Sequence, residues 1–382
     1  MKKQKICIIG GSLTGLVTAI SLSKLNCQID LITGTLERNS KSSRTIAISE
    51  NNFKFLDKLN ITKSFKKETW PCSIMKLYSE INGQNFSKVF ELNNFNKQER
   101  ILYMLENSKI VKQMMLKIKK IKSISIKKNE KVSSISNLGL LKNVKFENNN
   151  HKYNLVIVCT GHNSDLVRDI FSDKVVKRSY DESSITTILN HNSLNNNTVR
   201  QIFLDNEIFA LLPISNTRTS IVWSTNNNVK KKNNLYIKKK IKFYTKTFLT
   251  NVTFPTKIEY KNLNFLIREK YYKDRILLFG DALHVIHPFI GQGFNMTLRD
   301  LAILEKILRT KINLGLDVGS SDILNEFSNV AKPRNFIYSI GVDFLKSSIS
   351  YKQLRNVMLK IADKSSFVKD IFFNAADKGL KF

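Results

Sequence analysis

Short apolar runs alternate with amphipathic stretches along this chain, in an order that predicts strands and helices sharing one sheet. Residues 5–10 (KICIIG) predict a buried strand, residues 13–25 predict a helix, and residues 27–33 (CQIDLIT) alternate like a second strand. A strand, a glycine-rich turn, a helix and a strand within about 30 residues are typical of the βαβ unit that opens a doubly wound nucleotide-binding fold.

The rest of the pattern mixes both kinds of element. A good hairpin turn stands at Asn82-Gly83, between two alternating runs over 72–92. The other predicted strands are near 131–136, 140–147, 152–159, within 184–225 and at 275–280; the predicted helices are 50–59 (after a loop from 44), 106–121, 235–248 and several over 322–382.

Strands that leave and rejoin a βαβ framework predict two interleaved domains. We expect an α/β fold, in which a doubly wound, Rossmann-like domain is interleaved with a mixed β-sheet substrate domain and followed by C-terminal helices. The expected divisions are 1–71, 101–180 and 265–321 for the first domain, 72–100 and 181–264 for the second, and 322–382 for the helices.

Composition adds a strong positive charge. Among 382 residues, 62 Lys and Arg stand against 31 Asp and Glu, which gives +31. The excess is dispersed and accompanies many Asn and Ile residues, so A/T-rich codon usage explains it, and a surface held near anionic lipid is the functional alternative. No helix-turn-helix, zinc-finger or RNP-like pattern is visible, and we expect no nucleic-acid partner.

Segment lengths and cysteine spacing narrow the class further. No apolar run approaches the ~18–20 residues of a spanning helix, and the N-terminus lacks a signal-peptide cleavage pattern. We expect a cytoplasmic protein. If it associates with a membrane, we expect it to attach peripherally to the inner face of the cytoplasmic membrane. The four cysteines lack CxxC spacing, so buried reduced thiols are expected rather than disulfides or zinc ligands.

Two glycine-rich turns carry the candidate chemistry. Residues 10–15 (GGSLTG) match the G-x-G-x-x-G fingerprint, except that its middle glycine is Ser12. Thr33 stands where an acidic residue normally contacts ribose. Alone, this turn is weak evidence for a dinucleotide.

The stretch from Gly280 to Asp300, GDALHVIHPFIGQGFNMTLRD, is more specific. It places Asp281 at the end of a buried strand, where ligands bind in such sheets. The glycines of its Pro-Phe-Ile-Gly-Gln-Gly loop allow close approach to a flat ligand, and the helix from about Gly293 points its positive end at the same space. Such a site suits a ring that becomes anionic on reduction.

This stretch resembles the flavin-dependent aromatic hydroxylases (class A flavoprotein monooxygenases), most closely the branch that hydroxylates polyprenyl phenols in ubiquinone biosynthesis. Residues 44–49 (RTIAIS), 209–223 and the C-terminal helices resemble further segments of that family. The resemblance implies cofactor binding by Gly10, Gly11, Ser12, Gly15, Arg44, Gly161, Asp281, Pro288, Gly291, Gly293, Phe294 and Asn295. It implies no individual catalytic side chain, only the flavin-ring loop of Pro288, Gly291, Gln292 and Gly293.

The same resemblance implies the activity. FAD, reduced by NAD(P)H or a redox partner, would react with O₂, and the flavin hydroperoxide would hydroxylate a polyprenyl phenol. Other proteins of ubiquinone biosynthesis and an anionic membrane surface are the further partners expected.

One departure keeps an alternative open. The family's second nucleotide motif has an Asp where this chain has Thr160, although Gly161, Ser164 and Arg168 match. With Ser12 and Thr33, three changes fall on the nucleotide side. The alternatives are therefore a non-catalytic scaffold subunit of a membrane-associated complex, or an oxidoreductase for another small aromatic or an alkene. His284 and His287 stand three apart without a third ligand, so loop-orienting hydrogen bonds are expected of them and no metal.

Overall fold

The computed structural model describes residues 3–34, 42–82, 85–93, 100–171, 175–288, 291–348 and 351–379. Gly83 of the predicted hairpin turn and Phe289 and Ile290 of the predicted flavin-ring loop lie outside these residues.

The strands follow one another closely along the chain. They are β1 (Gln4–Ile9), β2 (Cys27–Thr33), β3 (Thr45–Ser49), β4 (Trp70–Cys72), β5 (Ile74–Glu80), β6 (Phe86–Asn93), β7 (Leu102–Glu106), β8 (Ile124–Lys128), β9 (Ser134–Leu138), β10 (Leu141–Phe146), β11 (Asn149–Tyr153), β12 (Leu155–Val158), β13 (Val175–Asn190), β14 (Thr198–Phe203), β15 (Ile208–Ser215), β16 (Arg218–Asn226), β17 (Glu259–Arg268), β18 (Tyr272–Lys273), β19 (Ile276–Leu278) and β20 (His284–Val285).

The helices connect these strands and dominate the C-terminal third. They are α1 (Leu13–Leu22), α2 (Glu50–Lys58), α3 (Asn107–Ile118), α4 (Asp165–Ile170), α5 (Asn227–Lys230), α6 (Asn234–Thr245), α7 (Gly293–Asn313), α8 (Ser321–Ser348), α9 (Lys352–Lys364) and α10 (Ser366–Lys378).

A six-stranded sheet forms the nucleotide-binding framework, in the order β18-β19-β12-β1-β2-β8. Its strands are parallel except for the pairing of β18 with β19. Helices cover it, so β12 is buried along its whole length and nine of the ten residues of α1 are buried. The carboxyl ends of β1, β12 and β19 meet at one edge, which is where a doubly wound sheet binds its ligand.

An eight-stranded sheet lies beside this framework, in the order β20-β17-β13-β16-β15-β14-β5-β6. It is antiparallel except for the pairing of β14 with β5. Small sheets of three strands, β3-β7-β4 and β11-β10-β9, complete the described strands. The predicted fold class, a doubly wound domain interleaved with a mixed sheet, is confirmed.

Several elements differ from the pattern-based predictions. Residues 45–49, predicted as loop, form β3, and the unpredicted β7, β8 and β17 add further strands. The predicted strand over 152–159 is divided between the end of β11 and β12. Strand β17 is half exposed at its start and buried at its end, so its sequence lacks a regular alternation. Its pairing with β13 holds it in the sheet.

Two of the predicted domain boundaries, at 180 and 264, fall within β13 and β17. Both strands belong to the eight-stranded sheet over their full lengths. We propose the same three-part division of the chain, with those two boundaries moved to the start of β13 and the end of β17.

Candidate active site at the sheet edge

At Gly10, in the turn between β1 and α1, and at Gly15, in the first turn of α1, no residue larger than glycine fits. Gly10 has φ +133°, and a Cβ there would lie 2.7 Å from the Cys159 carbonyl oxygen. A Cβ on Gly15 would lie 1.9 Å from the Gly10 oxygen. Gly11 and Ser12 between them are half-buried, and the Ser12 side chain does not cap the helix. The free N–H groups at the start of α1 therefore face the sheet edge, as a pyrophosphate site requires.

Thr33 does not offer its hydroxyl to this edge. The side chain is fully buried, and Oγ1 donates a hydrogen bond of 3.3 Å to the Lys127 carbonyl oxygen on β8. Its own carbonyl accepts from the Glu130 N–H. The Thr33 hydroxyl is therefore bonded within the sheet and does not replace the ribose contact of the missing acidic residue.

The turn after β12 lies open beside that edge. Gly161 has φ +85°, and no atom lies within 4 Å of the position of a Cβ, so the space beside it is open. Next to it, His162 Nε2 is buried without a hydrogen-bond partner among the described residues. Burial lowers the pKa of His162, although the Asp281 carboxylate opposes that shift.

Asp281 stands at the mouth of the same region. Gly280 before it has φ +63°, and a Cβ there would lie 2.6 Å from Thr14 Cγ2. This close approach brings the turn after β19 against the start of α1. The Asp281 side chain is exposed, so its carboxylate is available to a hydroxylated ligand chain lying along the edge.

The predicted flavin-ring loop lies against strand β3. Gly291 has φ +67°, and a Cβ there would approach the Ala47 Cβ to 3.0 Å. Pro288 is half-buried, and its carbonyl accepts from the Gly291 N–H at 3.2 Å. Gly293 begins α7 with open space at the position of a Cβ, while Phe294 packs partly buried against the framework core.

Gln292 in this loop is buried without a partner. Only 2% of it is exposed, and neither its side-chain oxygen nor its nitrogen has a hydrogen-bond partner among the described residues. Leaving a buried polar group unbonded costs about 1–3 kcal/mol. A polar ligand against the loop would offset that cost.

Asn295 fastens the loop to its neighbours. Its Nδ2 donates to the Ala47 oxygen at 2.8 Å, and its Oδ1 accepts from the Ser49 N–H at 3.0 Å and from Asn52 Nδ2 at 2.9 Å. All four residues are buried. The Asn295 side chain is thus bound to β3 and α2, and only its backbone remains for a ligand.

The two predicted loop histidines have different partners. His284 Nε2 lies 2.8 Å from Asp300 Oδ2, and Asn335 Nδ2 donates to both oxygens of that carboxylate. His287 Nε2 lies 3.4 Å from Glu182 Oε2, and neither ring nitrogen has a hydrogen bond of good geometry among the described residues. The first pair joins β20 to α7 and α8, and the second joins the loop to β13.

Charges around His287 come from two elements. Burial lowers the pKa of His287, although the Glu182 carboxylate opposes this, so the imidazole is neutral at pH 7. Burial raises the pKa of Glu182, but the adjacent His287 and Lys346 side chains outweigh it and leave that pKa below its ordinary value. Sequence reasoning missed Glu182, because it lies 105 positions from His287 in the chain and only the sheet pairing brings it there.

Arg44 is placed at the border of the site but is engaged elsewhere. Its side chain is 44% exposed, and its Nε lies 3.6 Å from Glu259 Oε2 on β17. To contact a phosphate it must leave this pair, which costs little because an exposed ion pair contributes only about 0–1 kcal/mol.

The described part of the chain offers neither a reactive thiol nor a set of metal ligands. It contains no group of three His, Cys, Asp or Glu side chains able to hold a metal ion. Burial raises the pKa of the Cys72 and Cys159 thiols to about 12, so both are protonated at neutral pH.

These observations fit FAD. The turn at Gly10 and the start of α1 suit a pyrophosphate, and Asp281 suits a ribityl chain. The unbonded Gln292 and the close packing at Gly291 suit the edge of a flat polar ring. The assignment of individual contacts to these residues is our proposal.

Three comparisons bear on the site. The sequence signature of a family described as FAD binding domain matches residues 3–333. The ubiquinone biosynthesis monooxygenase COQ6 of Dictyostelium discoideum, a mitochondrial protein, is 23% identical over 97% of this chain and 90% of its own length. COQ6 of Caenorhabditis elegans is 28% identical over 65% of each chain, slightly less than two thirds of that relative.

The fold also has relatives among solved structures. The p-nitrophenol 4-monooxygenase PnpA from Pseudomonas putida DLL-E4 superposes on the whole chain with a TM-score of 0.81 at 14% identity, and the match covers all of PnpA as well. At that identity, the likeness supports the fold alone.

Replacing Asp281 tests the proposed ribityl contact. Asp281→Ala removes a charge-assisted hydrogen bond worth about 1.5–3 kcal/mol, so we expect the dissociation constant of FAD to rise about 10- to 100-fold, measured by titration of flavin fluorescence. Glu269→Ala, at another exposed carboxylate, is the control. If wild type and Asp281→Ala bind FAD with equal affinity, Asp281 does not contact the cofactor.

Replacing Asn295 tests the attachment of the loop to β3. Asn295→Ala leaves the Ala47 oxygen and the Ser49 N–H buried without partners, so we expect the free energy of unfolding to fall by about 3–5 kcal/mol. Urea denaturation measures this, and Asn313→Ala, at an exposed position of the same helix, should change it by less than about 0.5 kcal/mol. A loss below 1 kcal/mol for Asn295→Ala is the contrary outcome.

Proposed function

The chain belongs to the FAD-binding-domain family, that of FAD-dependent aromatic monooxygenases, and from this membership we propose that it hydroxylates the ring of a polyprenyl phenol in ubiquinone biosynthesis. The COQ6 relatives are ubiquinone biosynthesis monooxygenases, which supports a substrate from that pathway. When bound, FAD supplies the activation of dioxygen. The residues of the chain bind it, orient the ring and exclude water.

An apolar cluster beside the flavin-ring loop is the observation that carries the proposal. Ile286 and Met296 flank the loop, and both are buried in a cluster that also contains residues of the eight-stranded sheet and of the C-terminal helices. Its other buried members are Ala47, Cys72, Met75, Leu77, Val89, Phe90, Leu92, Ile101, Leu102, Met104, Val199, Phe203, Ile208, Leu212, Val342 and Ala362.

Such a surrounding suits an aromatic ring with a hydrocarbon tail. Each Å² of apolar surface that leaves water contributes about 25 cal/mol to binding. Methionine side chains, here Met75, Met104 and Met296, adapt their shape to an irregular apolar ligand. The same cluster would keep water away from the bound ring, and so limit the release of hydrogen peroxide in place of product.

The reductant must come from outside the chain. Placing one atom of O₂ on the ring and releasing the other as water consumes two electrons and two protons. Buried thiols with raised pKa values are not donors for this reaction. We therefore propose NAD(P)H, or a redox partner protein, as the electron source.

We also propose that the C-terminal helices rest on an anionic membrane surface, where a polyprenyl substrate resides. On α9 and α10, Val357, Met358, Ile361, Phe367 and Ile371 are 45–71% exposed. Exposed Lys352, Lys360 and Lys364 share this region. An apolar face bordered by lysines matches the lipid tails and the anionic headgroups of a bilayer.

The helices of the described residues are too short or too polar to cross a bilayer. Attachment by this face would therefore be peripheral. Location in the cytoplasm, on the inner face of the cytoplasmic membrane, stays a prediction.

One observation favours a second function. Because the Thr33 hydroxyl is bonded within the sheet, it does not compensate for the missing acidic residue at the ribose position. Weak FAD affinity would fit a non-catalytic scaffold subunit of a biosynthetic complex. The apolar cluster and the unbonded Gln292 favour the enzyme.

Product analysis tests the activity. With FAD, NADH or NADPH, isotopically labelled dioxygen and a prenylated phenol, we expect a ring-hydroxylated product that carries one labelled oxygen, identified by mass spectrometry. Asp281→Ala, assayed at a flavin concentration below its dissociation constant, should form little product. A wild-type enzyme that binds FAD and consumes the reductant, yet yields only hydrogen peroxide with every prenylated phenol, would contradict the proposed substrate.

Vesicle sedimentation tests the membrane surface. We expect the chain to bind phosphatidylglycerol vesicles and to bind phosphatidylcholine vesicles weakly. The double change Val357→Asp with Ile361→Asp should weaken the binding at least about tenfold. The control, Leu140→Asp, alters a side chain that is 79% exposed on the β9–β10 turn and should bind as wild type does. Binding that ignores lipid charge, or survives the double change, speaks against this surface.

A further inference from the structure

A cavity of about 170 Å³ lies outside the proposed flavin site, between α2, α7, α8 and the end of α10. Arg299, Arg334, Tyr338 and Lys378 contribute to its wall. Because a water molecule occupies about 30 Å³ in the liquid, this volume holds about five waters or one small polyatomic ion.

The wall carries an excess of positive charge. Arg299, Arg334 and Lys378 come from three different helices. In the described ranges, neither Arg334 nor Lys378 forms a salt bridge. Asp300 is the acidic residue of the wall, and both of its oxygens accept hydrogen bonds from Asn335, one of them also contacting His284. Among the charged residues of the wall, one is therefore acidic and three are basic.

Arg299 is held in place for a ligand. Its guanidinium lies 4.7 Å from the centroid of the Tyr338 ring, a cation–π contact that restricts the side chain. Gly379 has φ +73°, and a Cβ there would lie 3.0 Å from Arg299 Cδ, so the backbone after α10 lies against the same side chain.

We propose that this cavity binds a phosphate group, either free phosphate or the headgroup of an anionic phospholipid. Two guanidinium groups and one ammonium group provide the charge and the several donors that the oxygens of a phosphate require. A lipid source is within reach, because Phe336, Ile337 and Ile340 on the adjacent turns of α8 are 40–46% exposed.

Phosphate bound here would act on the flavin-ring loop through hydrogen bonds. Just before Lys378, the Asp377 carboxylate accepts from the Asn51 N–H at 2.7 Å, and its carbonyl accepts from Ser49 Oγ. Asn52 then donates to Asn295 at the start of α7. Neutralising the three cations would hold the end of α10 on α2 and α7, and so stabilise the folded chain.

Thermal unfolding and calorimetry of the full chain with FAD test this site. In a low-salt buffer, we expect inorganic phosphate or dihexanoyl phosphatidic acid to raise Tm saturably. Arg334→Gln and Lys378→Gln should each weaken that binding at least about tenfold. Lys306→Gln, at an exposed lysine of α7 outside the cavity wall, is the matched control and should bind as wild type does.

Comparing inorganic phosphate with phosphatidic acid shows whether the bound phosphate group is a free ion or part of a lipid headgroup. Saturable binding of inorganic phosphate assigns a soluble phosphate, whereas binding of phosphatidic acid without binding of inorganic phosphate assigns a lipid headgroup. Dihexanoyl phosphatidylcholine controls for contact with the acyl chains. Failure of both phosphate ligands, or equal effects in wild type and both glutamine variants, overturns the proposal. Neither outcome alters the expected hydroxylation, which is measured separately.

Discussion

The hydrogen bonds of the Asn295 side chain hold the proposed active site together. They fix the start of α7 to β3 and α2, and thereby place the Gly291–Gly293 loop against Ala47. Each bond contributes only about 1 kcal/mol on balance, but breaking them leaves buried polar groups without partners. The position of the loop against β3 follows from this attachment, and the joined helices α2 and α7 also form part of the wall of the proposed phosphate cavity.

The site is unequal at its two ends. At the ring end, Gly291 lies against Ala47 of β3, His284 pairs with Asp300 of α7, and His287 lies beside Glu182 of β13. At the nucleotide end, the start of α1 offers free N–H groups, but Thr33 is bonded to β8 and Arg44 is paired with Glu259. A flavin held mainly through its ring and ribityl chain agrees with this distribution.

The sequence predicted the fold class and the edge where the glycine-rich turns meet, because βαβ spacing and glycine positions are local signals. It did not predict β17 or the pairing of Glu182 with His287, since both depend on partners distant in the chain. It predicted that the backbone of Asn295 borders the cofactor, which stays a prediction, but it did not predict that the side chain is bonded to Ala47, Ser49 and Asn52. Only the three-dimensional arrangement separates these roles.

The visible absorption spectrum of the purified full-length chain, recorded before and after addition of FAD and removal of the excess, tests the central claim most directly. A cradle for the isoalloxazine ring predicts the two bands of an oxidised flavin, retained after gel filtration and shifted relative to free FAD. A chain that stays colourless after incubation with excess FAD, while remaining folded by circular dichroism, would contradict the account and favour a scaffold.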